Sequence, residues 1–342
     1  MKKIEANHIS SEAKHSLKKR VITGLVMAAI AFPCIILGNW LYFGLIFVVT
    51  VLAGYELVHI TKIEGKLKIA MYILVIVFLV VLTNYIFFRN NWESLKVGGT
   101  ITAWNLVTNG FDNLNLSAMI IIVIAMTFFM FSFFTEKITL FHVFYFTTMI
   151  IVLALGLQSF LYLRFSPFPV WRDFNFNYYD AASFPYFESL LLILYLMIGV
   201  MMNDIGAYFV GMFFGKHKMN PRISPKKTWE GFAGGIAISA VCSIVFALVF
   251  ALVGKPILPR FSLDQFYWVV LISISMPIAG DIGDFVFSAI KRNAGIKDFS
   301  NLLPGHGGIL DRIDSLLFAG GSIAGLIAFM DFIQPLISNI GQ

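Results

Sequence analysis

The stretch SLLLILYLMIGVMMNDIGAYFVG, residues 189–211, decides the fold class, because it is long enough to cross a bilayer as a helix. A helical span of the hydrocarbon core needs about 20 apolar residues. The whole 342-residue chain shares this character, with 58% hydrophobic residues, 13% charged residues and a mean hydropathy of +0.83. This composition excludes an ordinary soluble domain. Helices are expected, because backbone groups in lipid must be satisfied within their own segment.

The apolar residues form nine blocks of roughly this length. The sequence therefore predicts an all-α polytopic membrane protein, a bundle of about nine transmembrane helices. Only Gly38 and Asn39 separate the first two blocks, which indicates a tight helical hairpin or one re-entrant unit. The predicted spans are 21–38, 40–59, 69–88, 117–134, 139–163, 189–213, 231–253, 266–290 and 315–334.

The distribution of lysine and arginine predicts the orientation of the bundle. With a cytoplasmic amino terminus, 19 of the 25 basic residues fall in the tail and the inner loops, and 6 fall outside. Cytoplasmic loops carry such an excess. We therefore expect loops 214–230 and 291–314 to share the cytoplasmic side, with loops 89–116 and 164–188 outside.

Three regions follow from the contrast between the two halves of the chain. They are a basic cytoplasmic tail at 1–20, an N-terminal transmembrane scaffold at 21–188, and a C-terminal transmembrane catalytic region at 189–342. The scaffold has almost no intramembrane charge. The candidate residues for chemistry all lie in the third region.

Asp204 is the first of these candidates. Helical spacing places it on one stripe with Tyr208, Gly211 and Gly215. A carboxylate at membrane depth commonly faces the bundle interior or a wet cavity. Alternatively, Asp204 only joins helices by hydrogen bonding, and the glycines form a packing face. The sequence leaves both interpretations open.

The segment NPRISPKKTWEG, residues 220–231, contains two prolines and a tryptophan. Ser224 lies between the prolines, and Lys226 and Lys227 lie between the second proline and the tryptophan. Proline restricts the backbone, so this segment is expected to be an ordered loop that fixes its cations. Positive-inside charge alone explains many lysines beside a span. The prolines favour a phosphate-binding loop instead.

The segment PIAGDIGDFVFSAIKR, residues 277–292, carries two carboxylates and a hydroxyl. In a helix, Asp281, Asp284, Ser288 and Lys291 fall within an arc of about 80°. Hard oxygen ligands of this kind suit magnesium, which takes one or two carboxylates together with substrate phosphates.

The next stretch, SAIKRNAGIKDFSNLLPGHGGILDRID at 288–314, adds a glycine turn before the last span. Backbone amides in such a turn can approach an anion at the start of a helix. Asp311 and Asp314 then return carboxylates to the same end of the bundle. His306 taken alone is more typical of a loop hydrogen bond. As a set, these groups predict phosphoryl or nucleotidyl transfer.

These motifs resemble those of the phosphatidate cytidylyltransferases, also called CDP-diacylglycerol synthases. Stretch 288–314 looks like the long signature of that family, and DIGAYFVG at 204–211 and ISPKKTWEG at 223–231 match its two other motifs in order. The resemblance implies a nine-helix membrane enzyme, typically a homodimer. It would condense CTP with phosphatidic acid into CDP-diacylglycerol and pyrophosphate for phospholipid biosynthesis. Magnesium is implied as cofactor, with potassium as a second cation.

The resemblance also implies roles for individual residues. Asp284 and Asp311 would be the magnesium ligands. The candidate catalytic residues are Asp284, Asp311, Lys297, Arg312 and Asp314. The candidate substrate-binding residues are Asp204, Ser224, Lys226, Lys227, Ser288, Lys291, Arg292, His306, Gly307 and Gly308. The expected setting is the inner or plasma membrane of a bacterial cell, with a cytoplasmic active site and no nucleic-acid partner.

Two other functions fit part of the pattern. A CTP-dependent polyprenol or dolichol-type lipid kinase would share the membrane setting and the nucleotide. An ion-coupled transporter would use the intramembrane carboxylates to bind a translocated ion. No inverted repeat is visible in the sequence, and the charges gather at one face of the membrane, which argues against a transporter.

The orientation can be tested by thiol labelling in intact cells. A cysteine introduced at Ser224 or at Asn301 should react only with reagents that enter the cytoplasm, because both positions lie in basic loops. Labelling of both positions by a membrane-impermeant reagent would reverse the predicted orientation.

Overall fold

The chain folds as a bundle of membrane-length helices. The computed structural model describes residues 11–97, 110–165, 185–258 and 263–340. Parts of the predicted tail 1–20 and of the predicted outer loops 89–116 and 164–188 lie outside the described residues. In the described part, the helices are α1 (Ser11–Leu37), α2 (Asn39–His59), α3 (Lys66–Val97), α4 (Gly110–Phe134), α5 (Leu140–Phe165), α6 (Pro185–Phe214), α7 (Trp229–Leu252), α8 (Tyr267–Asn293) and α9 (Leu310–Ile340).

These nine described helices match the nine predicted spans one for one. Eight are long and apolar enough to cross a membrane, and α4 carries a shorter apolar segment, Met119–Phe134. The all-α polytopic membrane fold is therefore confirmed. Gly38 separates α1 from α2 with a φ of 62°, a left-handed conformation that favours glycine.

Several helices extend beyond the predicted spans. α1 begins at Ser11, inside the segment predicted as a basic tail. α3 continues to Val97 and α4 begins at Gly110, so both helices enter the predicted outer loop 89–116. Hydropathy marks where a helix lies in lipid, whereas helical hydrogen bonding continues past the end of the apolar segment.

The apolar side chains divide into a buried core and an outer surface. Phe128, Phe146 and Leu157 are among those fully buried between helices. Phe133 and Phe213 are among the many large apolar side chains that stay exposed on the outside of the bundle. Exposure on this scale suits a surface that lipid covers.

Helices α6 and α7 approach each other closely through glycines. A Cβ atom at Gly206 would lie 3.2 Å from the Cα atom of Gly235, and one at Gly235 would lie 2.8 Å from the backbone oxygen of Asn203. Small residues of this kind allow membrane helices to pack backbone against backbone. The predicted packing face was Gly211 and Gly215; of these, Gly211 faces α7, where its Cβ atom would lie 3.6 Å from the Cα atom of Gly231.

A short β-hairpin joins α6 to α7. Strand β1 (Lys218–Asn220) pairs antiparallel with strand β2 (Ser224–Thr228), and Thr228 accepts a hydrogen bond from the amide of Gly231 to cap α7. The His217 Nδ1 atom lies 2.6 Å from Glu230 Oε1, which ties the two ends of the hairpin together. The predicted ordered loop is thus a hairpin that starts and ends on packed helices.

The close contact of α6 and α7 can be tested with alanine. Gly235→Ala should lower the free energy of unfolding by about 1–3 kcal/mol, because its Cβ would press on backbone that cannot move alone. Gly325→Ala on α9 is the control, since no atom of the described part of the chain lies within 4 Å of its Cβ position. Thermal unfolding in detergent measures both, and equal unfolding temperatures for the two variants would contradict the close contact.

Candidate active site

Lys227 joins two aspartates at the end of the bundle where the hairpin lies. Its Nζ atom is 3.0 Å from Asp281 Oδ1 and 2.6 Å from Asp284 Oδ2. Ser288 donates a hydrogen bond to the other oxygen of Asp284, at 3.3 Å. Lys227, Asp281 and Asp284 are called the Lys227 cluster below. Of the predicted arc of Asp281, Asp284, Ser288 and Lys291 on α8, the first three therefore belong to one group that meets the hairpin through Lys227, whereas Lys291 pairs elsewhere.

The environment keeps Lys227 charged. Burial lowers the pKa of its ammonium group, but the carboxylates of Asp284 and Asp281 raise it, and the net effect is a pKa above the ordinary value for lysine. The ammonium group also lies 4.6 Å from the ring centroid of Phe285. A fixed positive charge thus sits between two carboxylates.

Asp204 lines a cleft beside this cluster. The cleft has a volume of about 320 Å³ and lies between α6, the start of α7 and the hairpin. Its charged lining residues are Asp204, Lys226, Lys227 and Asp281, and its apolar lining residues include Tyr208, Met212, Met219 and Phe232. The cleft interpretation of Asp204 is therefore correct, and it coexists with the glycine packing.

Lys291 and Asp311 form a second ion pair at the same end of the bundle. The Lys291 Nζ atom lies 2.7 Å from Asp311 Oδ1, and both side chains are almost completely buried. The second oxygen of Asp311 accepts hydrogen bonds from the amides of Phe299 and Gly308, each at 2.9 Å. Asp311 therefore organises the segment before α9 as well as pairing with lysine.

Asp314 is a further buried carboxylate at this end of α9. It is buried one turn after Asp311, and its Oδ1 atom accepts a hydrogen bond from the amide of Ser315 at 2.8 Å. It lies within electrostatic range of Asp284, Lys291 and Asp311. The predicted carboxylates of α8 and α9 thus belong to one charged region.

The glycine turn, residues 305–308, lies directly before α9. Leu303 and Gly307 pair as an isolated bridge, and Gly307 has a φ of 86° that a side chain would rarely adopt. The ring of His306 is half-buried and lies 3.8 Å from the Cβ position of Gly24 on α1. The Nδ1 atom of His306 is buried, and no residue that the structure describes forms a hydrogen bond with it.

The remaining predicted cations are more open. Lys226, Lys297 and Arg312 are exposed, and Ser224 lies half-buried on β2. Arg292 is also exposed, and it donates hydrogen bonds to the carbonyl oxygens of Ile223 and Ile296 at 3.4 and 3.3 Å. Arg292 therefore fixes the hairpin against the end of α8 in this structure.

Two residues at the site were missed by sequence reasoning. Asn203 is buried and donates a hydrogen bond to Asp281 Oδ2 at 3.1 Å. Glu56 on α2 is fully buried and accepts hydrogen bonds from Ser300 and from the amides of Ile309 and Leu310 at the start of α9. The signal for Glu56 was present, because a carboxylate inside an apolar span is rarely without a role.

Comparison with known proteins identifies the family. The sequence model of the cytidylyltransferase family matches residues 18–330, which is most of the chain. The chain belongs to this family. The resemblance on which the site prediction depends is therefore confirmed, and the match extends to α1 and to the other helices of the N-terminal half.

Curated relatives within the family align over part of the chain. The phosphatidate cytidylyltransferase of Bacillus subtilis (strain 168) is 43% identical over 150 residues, covering 44% of this chain and 49% of that protein. That of Mycobacterium leprae (strain TN) is 40% identical over 158 residues, covering 43% and 47%. That of Staphylococcus haemolyticus (strain JCSC1435) is 41% identical over 148 residues, covering 41% and 52%. The aligned part spans about half the length of these relatives.

The Lys227 cluster predicts a specific pattern of stability. Lys227→Met should lower the free energy of unfolding by about 1–3 kcal/mol, because it leaves Asp281 buried without its cation. The lysine is 27% exposed, which keeps the expected loss below that for a fully buried pair. Adding Asp281→Asn should recover much of the loss, since the amide oxygen can still accept from Asn203.

Thermal unfolding in detergent measures both variants. Lys226→Met is the matched control, because Lys226 is exposed on the same strand and should tolerate the change. A Lys227→Met protein as stable as the wild type, or a double variant no more stable than Lys227→Met alone, would show that the ion pairs contribute little.

Proposed function

We propose that this protein is a phosphatidate cytidylyltransferase, which joins CTP and phosphatidic acid into CDP-diacylglycerol and releases pyrophosphate. The observation that carries the proposal is the cleft beside the Lys227 cluster, where cations and carboxylates lie opposite apolar side chains. The names of the relatives from three bacterial genera support the choice of substrates.

The two walls of the cleft suit a phospholipid. Tyr208 and Met212 line it from α6 and are also exposed on the outer surface of that membrane helix. Lys226 and Lys227 line it from β2. A phosphate headgroup can therefore contact the lysines while its acyl chains remain among apolar side chains and lipid.

Magnesium fits the oxygen donors of the Lys227 cluster. Oxygens of Asp281 and Asp284 converge on one cation, the ammonium of Lys227, within 3.0 Å. Among the described residues, no three His, Cys, Asp or Glu side chains form a metal site. Two carboxylates completed by water and substrate phosphates are typical of magnesium. Asp284 and Asp281 would hold the ion, which would neutralise charge on the reacting phosphates.

Asp311 fits the predicted role of metal ligand less well than Asp284. Both of its oxygens already accept hydrogen bonds, from Lys291 and from the amides of Phe299 and Gly308. Asp284 is more open, with 34% of its side chain exposed. We therefore assign Asp311 to the support of Lys291 and of the glycine turn.

The reaction needs positioned charge more than a covalent intermediate. A phosphate oxygen of phosphatidic acid forms a bond to the α-phosphorus of CTP, and the bond from that phosphorus to the β-phosphate oxygen breaks. Pyrophosphate leaves with the electron pair of that bond. Lys227 and Lys291 would stabilise the negative charge of the reacting phosphates. The solvent-exposed cations Lys226, Lys297 and Arg312 would contribute from the outside of the site.

The setting of the enzyme is also part of the proposal. We place the active site on the cytoplasmic side of a bacterial inner or plasma membrane, because the basic residues concentrate in the segments that carry it. A homodimer and a potassium ion are expected from the family resemblance. Mass measurement in nanodiscs and a potassium dependence of turnover test these two expectations.

The activity can be tested with labelled CTP. Purified protein, phosphatidic acid and magnesium should transfer label from the α-phosphate of CTP into lipid and should release pyrophosphate. Label entering lipid only from the γ-phosphate would indicate a lipid kinase instead. Transfer of neither label would contradict both functions.

A substitution tests the metal assignment in the same assay. Asp284→Asn should lower kcat about a hundredfold or more, since a catalytic metal contributes several kcal/mol to transition-state stabilisation. Glu64→Gln is the control, because Glu64 is exposed in the connection between α2 and α3. Near-normal turnover of Asp284→Asn at saturating magnesium would show that Asp284 is not a magnesium ligand.

A further inference from the structure

Glu56 lies on α2, in the half of the chain that sequence reasoning treated as scaffold. It is 0% exposed, and its carboxylate points at the segment before α9. Oxygen Oε1 accepts hydrogen bonds from Ser300 Oγ at 2.6 Å and from the Ile309 amide at 2.8 Å. Oxygen Oε2 accepts one from the Leu310 amide at 2.8 Å.

These three donors satisfy both oxygens of a group that would otherwise be costly to bury. Helix α9 begins at Leu310, so Glu56 pairs with amides that have no partner within the helix. Its negative charge also lies at the positive end of the helix dipole. The carboxylate therefore caps α9 from a different helix, with more than 250 residues of chain between the partners.

The same carboxylate explains why position 308 is glycine. A Cβ atom there would lie 2.5 to 2.7 Å from the three atoms of the Glu56 carboxylate. Gly308 is not among the glycines with positive φ, so the exclusion of a side chain comes from this contact rather than from the backbone conformation. Gly308 in turn donates its amide to Asp311.

Glu56 and Asp311 thus hold the segment 299–310 from two sides. Asp311 binds the amides of Phe299 and Gly308, and Glu56 binds Ser300 and the two amides that follow Gly308. Asp311 is also the partner of Lys291. A shift of this segment would therefore move both the glycine turn and the Lys291–Asp311 pair.

We propose that Glu56 is a positioning residue for the transfer reaction: it fixes segment 299–310 so that the glycine turn and the Lys291–Asp311 pair meet the substrate phosphates. This inference rests on the proposed function for its kinetic consequence. The contact itself is independent of that function. Small displacements of such groups can reduce rates greatly.

Two measurements on Glu56→Gln test the proposal. The amide nitrogen of glutamine would face an N–H or O–H donor, so segment 299–310 should exchange its amide hydrogens faster, while hairpin 218–228 should not. Turnover per folded molecule should fall about tenfold or more. Faster exchange together with the lower kcat supports the proposal, whereas unchanged exchange or wild-type kcat overturns it.

Tyr145→Phe is the matched control. Tyr145 donates a hydrogen bond to the carbonyl oxygen of Leu57, the residue next to Glu56, at 3.2 Å. The variant therefore removes a contact of α2 that does not involve segment 299–310. We expect a lower unfolding temperature with unchanged kcat, and an equal loss of kcat in both variants would reduce Glu56 to a purely structural role.

A second pair of variants keeps the test decisive if Glu56→Gln does not fold. Gly308→Ala should lower kcat, because its Cβ displaces the carboxylate. Adding Glu56→Asp should recover part of that loss, because the shorter side chain withdraws the carboxylate from the methyl group. Each kcat is expressed relative to wild type. If the double variant Gly308→Ala with Glu56→Asp has a relative kcat equal to or below the product of those of the two single variants, the proposal is overturned.

The wild-type protein separates this inference from the proposed function. If wild type shows no transfer from CTP to lipid, the proposed function fails. Hydrogen exchange of Glu56→Gln then still decides whether Glu56 fixes the segment. If wild type is active and Glu56→Gln keeps full kcat, only the positioning role fails.

Discussion

The cost of burying a carboxylate inside a helix bundle is the constraint on which this end of the molecule depends. Burying an ionised carboxylate without partners costs a desolvation free energy that is far larger than the net stability of a bundle of this size. Three of the buried acids are satisfied differently: Asp281 by an ammonium and an amide, Asp311 by an ammonium and two backbone amides, and Glu56 by a hydroxyl and two backbone amides. The same bonds fix the positions of α2, α8, α9 and the hairpin relative to one another.

This arrangement couples stability to preorganisation. Lys227 and Lys291 are held by carboxylates without any substrate, so their side chains have already lost much of their rotamer freedom. The phosphates of the proposed substrates would compete for charges that are already paired, which favours groups with high negative charge such as a triphosphate. Arg292 contributes differently, since it binds two carbonyl oxygens and keeps the hairpin next to the end of α8.

Patterns that depend on local spacing were predictable from the sequence. The nine helices follow from runs of apolar residues, and the common face of Asp281, Asp284 and Ser288 follows from helical periodicity. Pairings between distant segments were not. Lys227 contacts Asp281 and Asp284, which are 54 and 57 positions away, because the hairpin turns it towards α8. Local sequence patterns do not predict the orientation of the hairpin relative to α8. The partners of Glu56 could not be predicted, because they are mostly backbone amides, which the side-chain sequence does not indicate.

The apolar wall of the cleft has a consequence for the energetics of lipid handling. Each methylene group moved from hydrocarbon into water costs about 0.8 kcal/mol, so full extraction of a two-chain lipid with about thirty methylenes would cost on the order of 20 kcal/mol. Tyr208 and Met212 border the charged wall directly at the outer surface of α6. The proposed lipid substrate could therefore present its headgroup by sliding sideways within its own leaflet. Its acyl chains would then remain in the hydrocarbon of the bilayer. The lipid could reach and leave the cleft by two-dimensional diffusion in the membrane.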